Sequence, residues 1–220
     1  MSDSATSTRS PAIRRRWAVE VAVLILLVFL PRWASIFSPS LRGSAEVDPW
    51  TIAASGMVQA IQIGAATLFI VGISEEGWRG FGFFPFRLRT DLALGGLFAA
   101  ARAALTLFGD QRLPGASTWT LDPGAAKFPI VFAQGFFVLA LQVVTAVLVV
   151  RLAGLLKSVV GAVILVSLLV GSASLRPTGN AYFAAFAAPL LSAAFFGKTR
   201  RLMPNFIGVG VYVLWQGFLR

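Results

Sequence analysis

The sequence predicts an all-α protein, a polytopic bundle of about seven transmembrane helices. Three observations carry that expectation. Apolar residues make up 57% of the 220-residue chain and charged ones only 13%, about half the charged share of a soluble domain. Long apolar runs recur between short polar and basic connections, giving a mean hydropathy of +0.78. None of the runs shows the alternation of a barrel strand, which leaves helices as the way to satisfy a backbone in lipid.

Residues 1–16 are polar, rich in Ser and Thr, and end in Arg14-Arg15-Arg16. They read as a disordered basic cytoplasmic tail ahead of a helical membrane domain over 17–220. The first span is expected over 17–37, and no small-residue cleavage site follows its apolar core to make it a removable signal. A loop over 38–50 closes on Pro49-Trp50, an interfacial anchor. Span two covers about 51–73, and GFGFFPFRLRTD (80–91) reads as an interfacial turn or short helix. Span three covers about 92–108, and a polar loop follows over 109–127. Spans four, five and six cover about 128–150, 158–174 and 180–196, with Arg151 and Lys157 in the loop after span four. Span seven, about 205–219, is short enough to be tilted or partly inserted.

Basic residues test this topology. With the N-terminus in the cytoplasm, that side carries Arg9, Arg14, Arg15, Arg16, Arg79, Arg87, Arg89, Arg151, Lys157, Lys198, Arg200 and Arg201. The other side carries Arg42, Arg112, Lys127, Arg176 and Arg220, with Arg32 near its edge. That asymmetry is the one expected of an integral protein of the cell membrane with its N-terminus inside. It also accounts for the +10 net charge without a nucleic-acid partner; the bilayer is the partner. Histidine and cysteine are both absent, which removes the commonest general base, the commonest metal ligands and every disulfide. No cofactor is expected, and a zinc site is not supported.

The chemistry-bearing stretch is Ser74-Glu75-Glu76-Gly77-Trp78-Arg79-Gly80, at the end of span two. Charges near lipid are costly and by default mark a site. On a continuous helix Glu75 and Arg79 stand one turn apart, so a self-neutralising ion pair is an equal reading of the same residues. Elsewhere, Gly95-Gly96 suggest tight helix packing, and Gln134 and Gln142 suggest interhelical hydrogen bonds. Trp17, Trp33, Trp50, Trp119 and Trp215 read mostly as an interfacial belt.

Glu75-Glu76-Gly77-Trp78-Arg79-Gly80-Phe81, followed by a proline and basic residues, resembles the first motif of the CPBP family. These are the CAAX prenyl protease type II and bacteriocin-processing (Abi) intramembrane endopeptidases. Leu97 to Arg102 stands where that family carries FxxxH, and residues 190–216 resemble its closing pattern, which bears HxxxN. The resemblance covers about residues 55–217 and implies an intramembrane peptide hydrolase in which a glutamate activates water. The motif positions it implies are Glu75, Glu76, Arg79 and Arg102.

The departures are specific. The family spaces its glutamate pair from the arginine by three residues, and here only Gly77 and Trp78 intervene. Aligned on GWRG, the first family glutamate falls on Ser74 and the second on Glu75; a one-residue deletion is the alternative. Arg102 replaces the FxxxH histidine, and it cannot act as a base. The HxxxN pair falls on Val209 and Val213, or with a three-residue slip on Tyr212 and Gln216. Three functions remain open: a degenerate pseudoprotease binding hydrophobic or membrane-embedded polypeptide, an active membrane endopeptidase using Glu75 or Glu76, and a small helical transporter or membrane assembly protein. A deep arginine needs a partner, so Arg102 is expected within about 4 Å of Glu75 or Glu76.

Overall fold

The computed structural model describes residues 10–37, 49–112, 127–172 and 182–215. Among them every regular element is a helix, and the protein is an all-α bundle. The first rod is α1 (Pro11–Leu24), a π-helical turn (Ile25–Phe29) and α2 (Leu30–Phe37) in one run. Pro31 explains the wide turn: it cannot donate to the carbonyl four residues back, and its ring crowds that carbonyl. Then follow α3 (Pro49–Ile73), the single turn α4 (Gly77–Gly80), α5 (Leu88–Arg112) and α6 (Lys127–Leu156). The last three are α7 (Val159–Ser172), α8 (Tyr182–Thr199) and α9 (Met203–Leu214).

Among the described residues four stretches are long and apolar enough to cross a membrane: Pro11–Ala34, Ala53–Ile73, Leu88–Leu107 and Phe128–Leu156. α7 and α9 are shorter apolar helices. The outward-facing side chains are apolar as well, Ile61, Phe69, Leu97 and Val160 among them, as expected where lipid is the solvent. The protein is membrane-embedded. Helices lie where the sequence places spans, with boundary corrections: α5, Leu88–Arg112, overruns span three by four residues at each end, so residues 109–112 are helix and not loop. Helix α1 begins at Pro11, so Arg14-Arg15-Arg16 are helical and not part of a disordered tail. Residues 1–9 lie outside the described residues. Helix α6 runs to Leu156, so Arg151 is a helix residue and not a loop residue.

The bundle is organised around α6, which packs against α1, α3, α7, α8 and α9. Its residues Gln142 to Val149 are all buried, the pattern of a helix enclosed on every side. Small residues set the spacing to α3, where Gly56 faces Ala133 and Gly64 faces Ala140. Gln142 accepts a hydrogen bond from the fully buried Asn205 of α9 at 3.4 Å, the interhelical role its sequence position suggests. Helix α5 packs chiefly on α9 and α8, and not on its predecessor α3. Left-handed residues stop two helices: Lys157 after α6 and Arg200 after α8 have φ of 54° and 52°.

The rods alternate in direction. The starts of α1, α5, α7 and α9 and the ends of α3, α6 and α8 therefore meet at one end of the bundle. That end is tied together by backbone as well as side chains. Leu202 donates to the Gly82 carbonyl at 2.8 Å, and a Cβ on Gly82 would lie 2.7 Å from the Arg200 carbonyl oxygen. Asp91, fully buried, accepts from the Arg87 amide and from Arg201, both at 2.8 Å.

The α5–α9 seam is tight because of two glycines. A Cβ on Gly208 would lie 2.4 Å from Phe98 Cδ1 and 2.7 Å from the Gly95 carbonyl oxygen, whereas one on Gly96 meets open space. Gly208→Ala is therefore expected to cost about 1–3 kcal/mol, and Gly96→Ala close to nothing. Reversible unfolding in mixed detergent micelles reads both, and equal effects would contradict the seam.

Candidate functional site

The acidic motif does not continue helix α3. The helix stops at Ile73, residues 74–76 form a turn, and Gly77 enters α4 with φ of 55°, a conformation glycine adopts without strain. Breaking the helix here sends the two glutamates in different directions. Glu75 points out to water, its side chain 73% exposed. Glu76 turns inward to a guanidinium that is 1% exposed, that of Arg151 on α6.

Arg151 is the hub of the site. Its Nε donates to Glu20 Oε2 on α1 at 2.6 Å, its Nη1 to Glu76 Oε2 at 2.9 Å and its Nη2 to Ser74 Oγ at 2.8 Å. The Ser74 hydroxyl in turn donates to Glu76 Oε2 at 2.5 Å and accepts from the Glu76 amide at 3.3 Å. Glu20 takes its second bond from Arg16, whose Nε lies 3.1 Å from Oε1. Arg16 also donates to the Ile73 carbonyl at 2.5 Å, closing the open end of α3. Two cations and two carboxylates balance, and three elements distant in sequence are joined.

Two aromatic rings complete the enclosure. The Arg151 guanidinium lies 5.3 Å from the Trp17 ring centroid and 4.9 Å from that of Phe81. Cations are attracted to such ring faces, more strongly when desolvated. Trp17 is buried against Gly154, where a Cβ would lie 2.3 Å from the indole. Trp17 is thus a packing residue of the charge cluster and not a belt residue. Trp33 is likewise turned inward, donating to Ser172 Oγ at 2.9 Å.

Charge follows geometry at Glu76. Burial alone would raise its pKa, but the hydrogen bonds from Ser74 and Arg151 and the Arg151 charge outweigh it and hold the carboxyl below its ordinary value near 4.5. A carboxyl lowered in this way adds stability that is complete above the ordinary value and is lost as pH falls through the lowered one.

The motif positions named from the sequence are not brought together. Arg79 is exposed and makes no ion pair with Glu75 among the described residues, because the turn at 74–76 removes the one-turn register that a continuous helix would have provided. Arg102 is nowhere near the glutamates, contrary to expectation. It stands fourteen residues into α5, roughly 21 Å by helix rise, and its guanidinium lies 5.0 Å from the Tyr212 ring of α9. Tyr212 Oη shares a 2.8 Å hydrogen bond with Thr106, and Arg102 Nε is buried without an acceptor among the described residues. The physical reason is the packing order. The expectation took consecutive spans as neighbours, whereas α3 lies on α6 and α5 lies on α9. Of the closing-pattern alternatives, Tyr212 meets Arg102, Val209 is buried among apolar groups, and Gln216 lies outside the described residues.

Glu20 and Arg151 are the site residues that the sequence reading missed. Glu20 offered a signal, being a carboxylate inside an apolar run one helical turn after Arg16. Arg151 offered a weaker one, since no helix breaker separates it from span four. No protein-family model matches the chain, and no curated protein and no solved structure matches it either.

Removing the hub takes from Glu76 the guanidinium it is ion-paired with and leaves Glu20 with Arg16 alone, in a partly dry site. Arg151→Met is therefore expected to destabilise the protein by about 3–5 kcal/mol. Adding Glu20→Gln and Glu76→Gln should return much of that loss, and no recovery in micellar unfolding would show that the three are uncoupled. Glu75→Gln, at an exposed position, should change little.

Acid titration isolates Glu76. Wild-type stability should fall faster below pH about 4.5 than that of Glu76→Gln, the two curves converging as the carboxyl protonates. Parallel curves would contradict the lowered value.

Proposed function

We propose that the protein is a catalytically degenerate relative of the CPBP-type intramembrane endopeptidases, a pseudoprotease that binds hydrophobic or membrane-embedded polypeptide without cutting it. The commitment of the Glu76 carboxylate to Arg151 and Ser74 is the observation that carries this reading. A general base must reach a water beside the scissile amide, and donors must face the developing oxyanion. Glu76 is instead ion-paired, and Glu75 faces solvent. Arg102 and Tyr212, the nearest thing to the family's remaining positions, pair with each other deep in another part of the bundle. The chain has no histidine or cysteine to substitute. The partner class follows from the resemblance and from the membrane setting.

Orientation follows the positive charge. The motif end of the described bundle carries Arg14, Arg15, Arg16, Arg79, Arg87, Arg89, Arg151, Lys157, Lys198, Arg200 and Arg201, against Arg32, Arg112 and Lys127 toward the other end. This supports a cell-membrane protein with its motif end and N-terminus in the cytoplasm. Reporter fusions after residues 16, 45, 155 and 220 should report inside, outside, inside and outside in turn; residues 16 and 220 on one side would overturn the seven-span topology.

The half-buried Arg102, its Nε buried and without a carboxylate partner among the described residues, favours a second reading as a small transporter or assembly protein. Activity separates the readings. Protein reconstituted in liposomes with a transmembrane-peptide library should retain peptide and release no new termini by mass spectrometry. Cleavage abolished by Glu75→Gln or Glu76→Gln would establish an active endopeptidase instead. Solute flux dependent on Arg102 would establish the transporter.

A further inference from the structure

The bundle opens at its charged end beside the seam between α1 and the end of α3. Both helices pack on α6 but hardly on each other, which leaves a groove between them. At the motif end this groove widens into an open cleft of about 660 Å³, lined by Pro11, Ala12, Arg15, Arg16, Val19 and Ile73 among others. Its walls change character along their length. Toward the membrane they are apolar and outward-facing, with Val19 and Ile73 about half exposed and Phe69 and Leu26 continuing the strip one to two turns deeper. At the mouth they are cationic.

We propose that this cleft is a binding site for one anionic phospholipid, its phosphate held by Arg15 and Arg16 and one acyl chain lying between α1 and α3. Charge complementarity selects the head group. Arg15 is exposed and makes no ion pair among the described residues. Arg16 reaches Glu20 and the Ile73 carbonyl with two of its nitrogens, and its third lies 4.0 Å from the exposed Glu75, leaving it available to a stronger anion. Glu20 also lines the cleft, but both its oxygens are engaged by arginines and its charge is offset. Helix α1 starts here without a side-chain cap, so its N-terminal partial positive charge adds to the same field. Basic pockets between membrane helices recognise anionic head groups on these terms.

Continuity with the lipid-facing strip selects a lipid over a soluble anion. A free phosphate gains only the arginines, whereas a phospholipid also buries the exposed surfaces of Val19, Phe69 and Ile73. The ligand enters sideways from the leaflet on the motif side. Its chain then fills a groove that two helices held apart by their common packing on α6 cannot close.

The test is lipid titration of the full-length, detergent-solubilised protein, with bound lipid counted by native mass spectrometry. One phosphatidylglycerol should bind saturably per chain, and phosphatidylcholine should not. Arg15→Gln should weaken phosphatidylglycerol binding about fivefold, the factor one cation contributes near an anionic surface, and Val19→Trp should weaken it by filling the groove. Arg89→Gln, a charge change at an exposed residue of α5 on the same end, should leave it unchanged. Equal effects of Arg15→Gln and Arg89→Gln would reduce the attraction to diffuse surface charge. Equal retention of phosphatidylcholine, displacement of the lipid by glycerol 3-phosphate at the same concentration, or full affinity in Val19→Trp would each overturn the site as a phospholipid cleft.

Discussion

One buried guanidinium holds the charged end of this bundle together. Arg151 meets Glu20 of α1, and Ser74 and Glu76 of the turn after α3, while itself belonging to α6. Isolated, any of these charges would be expensive at the edge of a bilayer. Together with Arg16 they form a neutral, hydrogen-bonded set in which a planar, five-donor group suits three separate acceptors better than an ammonium would. The helices that carry them would pack through apolar and small residues in several registers with little difference in energy, since lipid tails are as apolar as leucine. The polar set distinguishes one register from the others.

The same arrangement explains how an acidic motif at a helix end serves structure. Two adjacent carboxylates on one helix face would repel each other and invite a metal or a proton. Here Gly77 allows a turn that separates them, with one satisfied internally and one hydrated. The second polar cluster, Arg102 with Tyr212 and Thr106, is assembled by a different helix pair and shares no residue with the first. Each set fixes its own helices, so the bundle is held in register by polar contacts at two separate places.

Much of the fold was legible in the sequence because hydropathy and glycine placement act locally. Among the described residues helical rods stand where apolar runs were read, Gly95 lies at a close helix crossing, and Gln142 bonds across helices. The site was only half legible. Ser74 and Glu76 were identifiable as polar groups in an apolar context, but their partner sits 77 and 75 residues away, a separation that no periodicity encodes. Arg151 was hidden by a statistical rule: a basic residue near a span end reads as a loop charge. Arg102 was misplaced for a related reason, since the order of spans along the chain does not state which helices touch.

Glu20 and Arg151 are 131 residues apart, and a membrane protein is made from its N-terminus onward. At roughly 5–20 residues per second, the ribosome delivers the arginine about 7 to 26 seconds after the glutamate. Glu20 must therefore reach the membrane long before its permanent counter-ion exists. Arg16, one helical turn earlier on the same helix, is available at once and stays bonded to it in the finished protein. The first helix thus carries its own chaperone for a charge, and the last bond to that charge is made only when the sixth helix arrives.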